Sequence, residues 1–113
     1  MTTTPPHIPT VSAHDAANRP DAVVLIDVRE PDEWAAGHAP GAHHHPLGAL
    51  DPNVVESGTT VYCICRSGGR SASATQALCD AGLDAHNVDG GMQTWGEAGL
   101  PMINTDGGIG TVI

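Results

Sequence analysis

The 113-residue sequence contains no phenylalanine and a single tyrosine, and only 3% of it is aromatic. A core must therefore be assembled from Val, Ile, Leu and Ala. No stretch approaches eighteen consecutive apolar residues, which excludes a transmembrane helix. The opening residues, Met1 to Pro6, have neither a basic cluster nor an apolar run, so they do not read as a secretory signal and a cytoplasmic location is expected. Lysine is also missing: four arginines face thirteen acidic residues, for a net charge of −9. Such a surface repels phosphate, so neither nucleic acid nor an anionic membrane is an expected partner. Cysteine is scarce and odd in number, at three, which argues against a disulfide framework. Cys63-Ile64-Cys65 is too tight for a C-x2-C zinc knuckle, and no second Cys/His pair stands at finger spacing, so no metal site is expected.

What remains is enough for one globular domain: 40% of the residues are hydrophobic, and the length suits a single core. Residues 1–7, rich in Thr and Pro, read as a flexible tail. A short strand is predicted at Ile8 to Val11, then a helix capped by Ser12 and running to about Asn18. Val23-Val24-Leu25-Ile26 is a β-branched apolar run of the kind buried on both faces of a sheet. After it, Pro31 opens a short helix that Gly37 closes. Ala42 to His45 and Val61 to Ile64 read as further strands. A helix is predicted from Ser71 to Ala81, with Ala74, Ala77, Leu78 and Ala81 on its buried face and Gly82 as its stop. A weak strand at Ala85 to Val88 and a helix from about Met92 to Ala98 complete the series. Residues 104–113 are Gly-rich and are expected to form a tail without structure, which leaves 8–103 as the domain. Strands alternating with helices imply an α/β fold with a mainly parallel sheet covered on both faces. In such sheets ligands bind at the carboxyl ends of the strands. Cys65 falls at one.

Cys65 is followed by Arg66-Ser67-Gly68-Gly69-Arg70-Ser71, so half of the arginines flank a single thiol. A thiol with a pKa near 8.5 is only about 3% ionised at pH 7, and lowering it by two units takes about 2.7 kcal/mol of preferential anion stabilisation. A helix N-terminus supplies roughly 0.3–2 kcal/mol of that. Arg66, Arg70 and inward-turned loop amides, allowed by Gly68 and Gly69, are expected to provide the rest. The plainer alternative is a Gly-Gly turn with a bland cysteine and two solvated arginines.

Four segments in order resemble the rhodanese family. Leu25-Ile26-Asp27-Val28-Arg29-Glu30-Pro31-Asp32-Glu33-Trp34 is similar to its first signature. Gly37-His38-Ala39-Pro40-Gly41-Ala42 is similar to its GHIPGA element, with Ala39 in place of Ile. Cys65 to Ser71 resembles the catalytic loop, and Val88-Asp89-Gly90-Gly91-Met92 through Trp95 the closing element. The resemblance covers about residues 8–103. It implies a three-layer α/β/α domain with a five-stranded, mainly parallel sheet. It also implies a ping-pong sulfur transfer in which Cys65 is the nucleophile and carries a persulfide. Arg66, Ser67, Gly68, Gly69, Arg70 and Ser71 would bind the substrate. The implied partners are a small anionic sulfur donor, such as thiosulfate, and a thiol, cyanide or protein-cysteine acceptor. No metal or organic cofactor is implied. Related phosphatases and arsenate reductases resemble C-x5-R; the C-x4-R spacing from Cys65 to Arg70 is one residue shorter and accords with sulfur substrates. A rhodanese-fold binding or regulatory module with little turnover is the alternative.

The remaining polar residues have simpler readings. Asp27 and Arg29 are expected to support the site as a surface ion pair at a strand end. His43, His44 and His45 point alternately across a strand and cannot converge on one metal ion. His38 is expected to stabilise a turn. Cys63 lies on the same side of its strand as Cys65, but an i, i+2 disulfide along a strand is strained, so Cys63 and Cys79 are expected to pack. Trp34 and Trp95 read as core or domain-edge aromatics.

Overall fold

The computed structural model describes residues 8–113; the expected N-terminal tail, 1–7, lies outside the described residues. Five parallel strands form one sheet in the order β1-β5-β4-β2-β3. They are β1 (Thr10–Val11), β2 (Val24–Asp27), β3 (His43–His44), β4 (Thr60–Ile64) and β5 (Asp84–Val88). The connections carry α1 (Ala13–Ala17), α2 (Pro31–Ala36), α3 (Gly69–Asp80) and α4 (Gly91–Glu97), with two short 3-10 turns between β3 and β4. No described helix is long and apolar enough to cross a membrane.

Period-two alternation along the strands divides the core between the two faces. Ile26 of β2 and Val61 and Cys63 of β4, together with Val28 and Cys65 just beyond these strands, pack with Ala74 and Leu78 of α3. Leu25 and Ile64 point the other way, toward Ala13 and Ala16 of α1 and Met92 and Trp95 of α4. Helices therefore cover both faces, and the expected three-layer α/β/α arrangement is present.

Helices α1 and α2 start where the sequence signals placed them, and α3 starts at Gly69, ahead of the expected Ser71. Ser12 accepts the Asp15 N–H at 3.0 Å and caps α1. Pro31 occupies the first turn of α2, and Glu30 and Glu33 form a reciprocal capping box there. Two expectations need correction. In α3 the buried face is Ser71, Ala74, Thr75 and Leu78, while Ala77 and Ala81 are exposed. The rotation is tolerated because the Thr75 hydroxyl donates to the Ser71 carbonyl at 2.8 Å and so enters the core satisfied. The second correction concerns 104–113. This segment is packed onto the domain: the Thr105 and Thr111 N–H groups donate to the carbonyls of Ala35 and Ala36 at the end of α2, and Val112 lies against the α1–α4 side of the core. Its glycines admit close backbone contact, which composition alone had made look like looseness.

Candidate active site

β4 ends at Ile64, and the chain turns through Cys65 to Gly68 into α3. Gly68 holds φ 112°, a left-handed conformation open to glycine, and serves as N-cap of the twelve-residue helix. That turn brings the Gly68 N–H to 3.1 Å from Cys65 Sγ. One helical turn on, the Ser71 hydroxyl stands 3.2 Å from the same sulfur. Burial pushes the Cys65 thiol up, yet the Ser71 hydroxyl and the amides of Ser71, Gly68 and Ser67 outweigh it and hold the thiol below its ordinary value. The cysteine is only 1% exposed. The Cys65 sulfur therefore sits at the floor of a cradle of N–H groups.

The two arginines are placed differently from what the sequence led us to expect. Arg66 turns outward: its Nε donates to the Ile113 main-chain oxygen at 3.0 Å and its Nη1 to Gln93 Oε1 at 3.4 Å. It lines a groove of about 550 Å3 between α4 and the C-terminal segment, with Leu100, Met102 and Val112 among its neighbours. Arg70 forms a two-pronged ion pair with Glu33 of α2, at 2.6 and 2.8 Å. The Arg70 side chain is 36% exposed and that of Glu33 13%. The Arg70 hydrogen bonds hold the Glu33 carboxyl down to about 2. In return the Glu33 carboxylate raises Arg70, with a smaller contribution from the Cys65 charge. Thiolate support thus comes from main-chain amides and one hydroxyl, and neither guanidinium hydrogen-bonds the sulfur.

Residues that the sequence reading passed over complete the cradle. Asn87, near the end of β5, accepts from the Ser71 hydroxyl at 2.6 Å and donates to the Gly68 carbonyl at 3.1 Å. The hydroxyl has one proton, and the sulfur, the Asn87 amide oxygen and the Gly68 carbonyl at 3.3 Å compete for it. Behind the loop, the N–H groups of Met92 and Gln93 donate to the Cys65 and Arg66 carbonyls, both at 2.8 Å. A Cβ on Gly91 would strike those two carbonyl oxygens, so the second glycine of Gly90-Gly91 permits the helix to back the loop. Asn87 could have been found by the strand-end rule that singled out Cys65. Nothing local signals Glu33, which is 37 residues from its partner.

Asp27 and Arg29 are joined, but not at the surface: both side chains are 0% exposed at 2.7 Å. Arg29 also donates to the Gly37 carbonyl at 2.6 Å, and Asp27 receives the Arg29 N–H. The pair ties the β2–α2 turn to the residue that closes α2. His38 and His44 both stack on Trp34, with centroids 3.6 and 4.8 Å away. Each ring also hydrogen-bonds a carbonyl, that of Trp34 for His38 and that of Arg29 for His44, so His44 is a structural member of this turn. Burial pushes Cys63 up to about 11, although the Thr75 hydroxyl opposes it. Cys63 therefore remains a protonated packing residue at neutral pH.

Comparison with known proteins agrees with this geometry. The sequence profile of the rhodanese-like domain family matches residues 11–98. Among curated proteins, the uncharacterized protein slr1261 of Synechocystis sp. is 40% identical over 84 residues, which are 72% of this chain and 47% of that protein. The chain thus spans about half the length of that relative. Among solved structures, a rhodanese-related protein from Thermoplasma volcanium superposes with a TM-score of 0.79 at 32% identity, covering 84% of this chain and 97% of that one. A structure named "Probable Thiosulfate Sulfurtransferase" has a TM-score of 0.72 at 33% identity, covering 82% of this chain and 46% of the other.

Proposed function

The chain belongs to the rhodanese-like domain family, and from that premise we propose that it is a sulfurtransferase of the thiosulfate type working through a persulfide on Cys65. The observation that carries the reading is the pair of donors, the Gly68 N–H at 3.1 Å and the Ser71 hydroxyl at 3.2 Å, aimed at one sulfur whose thiol is held below its ordinary value. A thiolate formed in advance needs no general base at the moment of attack.

In the first half-reaction the Cys65 thiolate attacks the sulfane sulfur of thiosulfate or a similar donor. A new S–S bond forms, the bond to the sulfonyl sulfur breaks, and sulfite departs with the electron pair. The terminal persulfide sulfur carries the negative charge, and in this reading it is the loop amides of Ser67, Gly68 and Ser71, already turned toward Cys65, that stabilise it. In the second half-reaction a thiophilic acceptor (cyanide, a thiol or a protein cysteine) attacks that outer sulfur, and the Cys65 thiolate is the leaving group. Both steps are charge-balanced and need no metal or organic cofactor.

Incubation with thiosulfate followed by intact-mass measurement tests the reading. The expected result is a gain of one sulfur atom in the wild type and none in Cys65→Ser. A wild type that gains no sulfur from thiosulfate or from a thiosulfonate would overturn it and leave a binding module as the function of the domain.

A further inference from the structure

The four arginines of this chain are unequally available to a substrate. Arg19 donates to the Ala16 and Pro40 carbonyls at the α1–β2 connection. Arg29 is buried against Asp27. Arg66 faces the groove beside α4. Arg70, in the first turn of the helix that follows Cys65, is raised chiefly by Glu33 and to a lesser extent by Cys65, and its charge is met by the Glu33 carboxylate through two short hydrogen bonds. Glu30, at the start of the same helix, also acts on Arg70. Asp32 stands in the first turn of α2, and Asp89 follows β5 at the same end of the sheet. Acidic residues therefore gather at this end of the sheet, and the charge of Arg70 is already met there by Glu33.

We infer that Glu33 is a specificity-determining residue: by cancelling the charge of Arg70 it sets the Cys65 cradle for sulfane donors of low negative charge, thiosulfonates and neutral or singly charged persulfides, over the thiosulfate dianion. The inference rests on the sulfurtransferase reading above and refines its donor class. The physical basis is the work of bringing charge into the field of the cradle, which scales with the donor's charge. Removing one negative charge beside the site multiplies the reactivity of a monoanion by some factor and that of a dianion by about its square. A change in the ionisation of Cys65 affects both donors alike and cancels in their ratio.

The test compares kcat/KM for thiosulfate, a dianion, with that for methanethiosulfonate, a monoanion that delivers the same sulfane sulfur and releases methanesulfinate. Gln at position 33 still offers an oxygen to Arg70 and to the Glu30 N–H that Glu33 accepts at 3.1 Å, so α2 keeps its cap. In Glu33→Gln the thiosulfate value rises roughly tenfold and the methanethiosulfonate value about threefold. Arg70→Met, which leaves Glu33 uncompensated, moves the ratio in the opposite direction. An unchanged ratio in both variants would sink the inference. Alkylation of Cys65 by anionic iodoacetate and neutral iodoacetamide gives a readout that needs no sulfur transfer. Their rate ratio rises about threefold in Glu33→Gln if the inference holds. It rises even if neither donor forms a persulfide, a result that would defeat the sulfurtransferase reading alone.

Discussion

Two arginine–carboxylate pairs stand at the same end of the sheet and do different work. Asp27–Arg29 joins residues two apart and is wholly buried, whereas Glu33–Arg70 joins residues 37 apart and is partly open to solvent. The first is enclosed by the β2–α2 turn, with the Gly37 carbonyl as a further acceptor; Arg29 Nη1 has no hydrogen-bond partner among the described residues. Two charges removed from water tolerate each other only while both are present. The second pair bridges α2 to the Cys65 loop, where water screens it and where, on the proposal above, its balance sets the charge that a sulfur donor meets. Identical chemistry thus serves as scaffold in one place and as a tuning element in the other, and burial decides which.

The comparison is most sharply tested by breaking the buried pair. Asp27→Asn strands the Arg29 charge and is expected to lower unfolding free energy by about 3–5 kcal/mol; denaturant titration measures it, and a loss below about 1 kcal/mol would put the pair on a level with a surface bridge. A double replacement by Leu at 27 and Met at 29 recovers most of the loss, because no charge is then left alone.

An intermediate effect separates the amide cradle from the arginines. Ser71→Ala removes a donor to the sulfur, and its alkylation rate at pH 7 is expected to fall roughly five- to tenfold, with the pH–rate midpoint shifted upward. In Arg70→Met the corresponding fall is smaller, since no guanidinium hydrogen-bonds Cys65. The reverse order would return thiolate support to the arginines.

The smallest effect belongs to the open pair. Glu33→Gln should cost at most about 1 kcal/mol of stability. The Glu33 carboxyl is held at about 2, below its ordinary 4.5, so the contribution of the pair is complete above the ordinary value and is lost as pH falls through about 2. Unfolding titrations of wild type and variant between pH 6 and pH 2 are expected to converge at the acid end; a gap that widens there would reverse the sign of the coupling.

Much of this was legible in the sequence because it is local. The Val23–Ile26 and Val61–Ile64 runs are β-branched and bounded by turn residues, so the strands could be read directly. Ser12, Pro31 and Gly82 mark helix ends through backbone chemistry confined to one turn. Cys65 followed by Gly68-Gly69 and Ser71 is likewise a local statement, since the loop amides that reach the sulfur come from the next six residues. The buried face of α3 was less legible, because Ser71 and Thr75 are polar by composition and enter the core only once their hydroxyls find partners.

The amino-acid sequence by itself determined the alternation of strands and helices, the strand-end position of Cys65 and the glycine-hinged turn that follows it, for each is a matter of neighbouring residues and their backbone preferences. Only the tertiary structure decided that Arg66 faces away, that Glu33 answers Arg70, that Asn87 competes for the Ser71 proton, and that residues 104–113 lie against α2. Those outcomes depend on which strand ends come side by side in the sheet. Charge and hydrogen-bond energies fall off over a few ångströms of space, and sequence separation does not measure that distance.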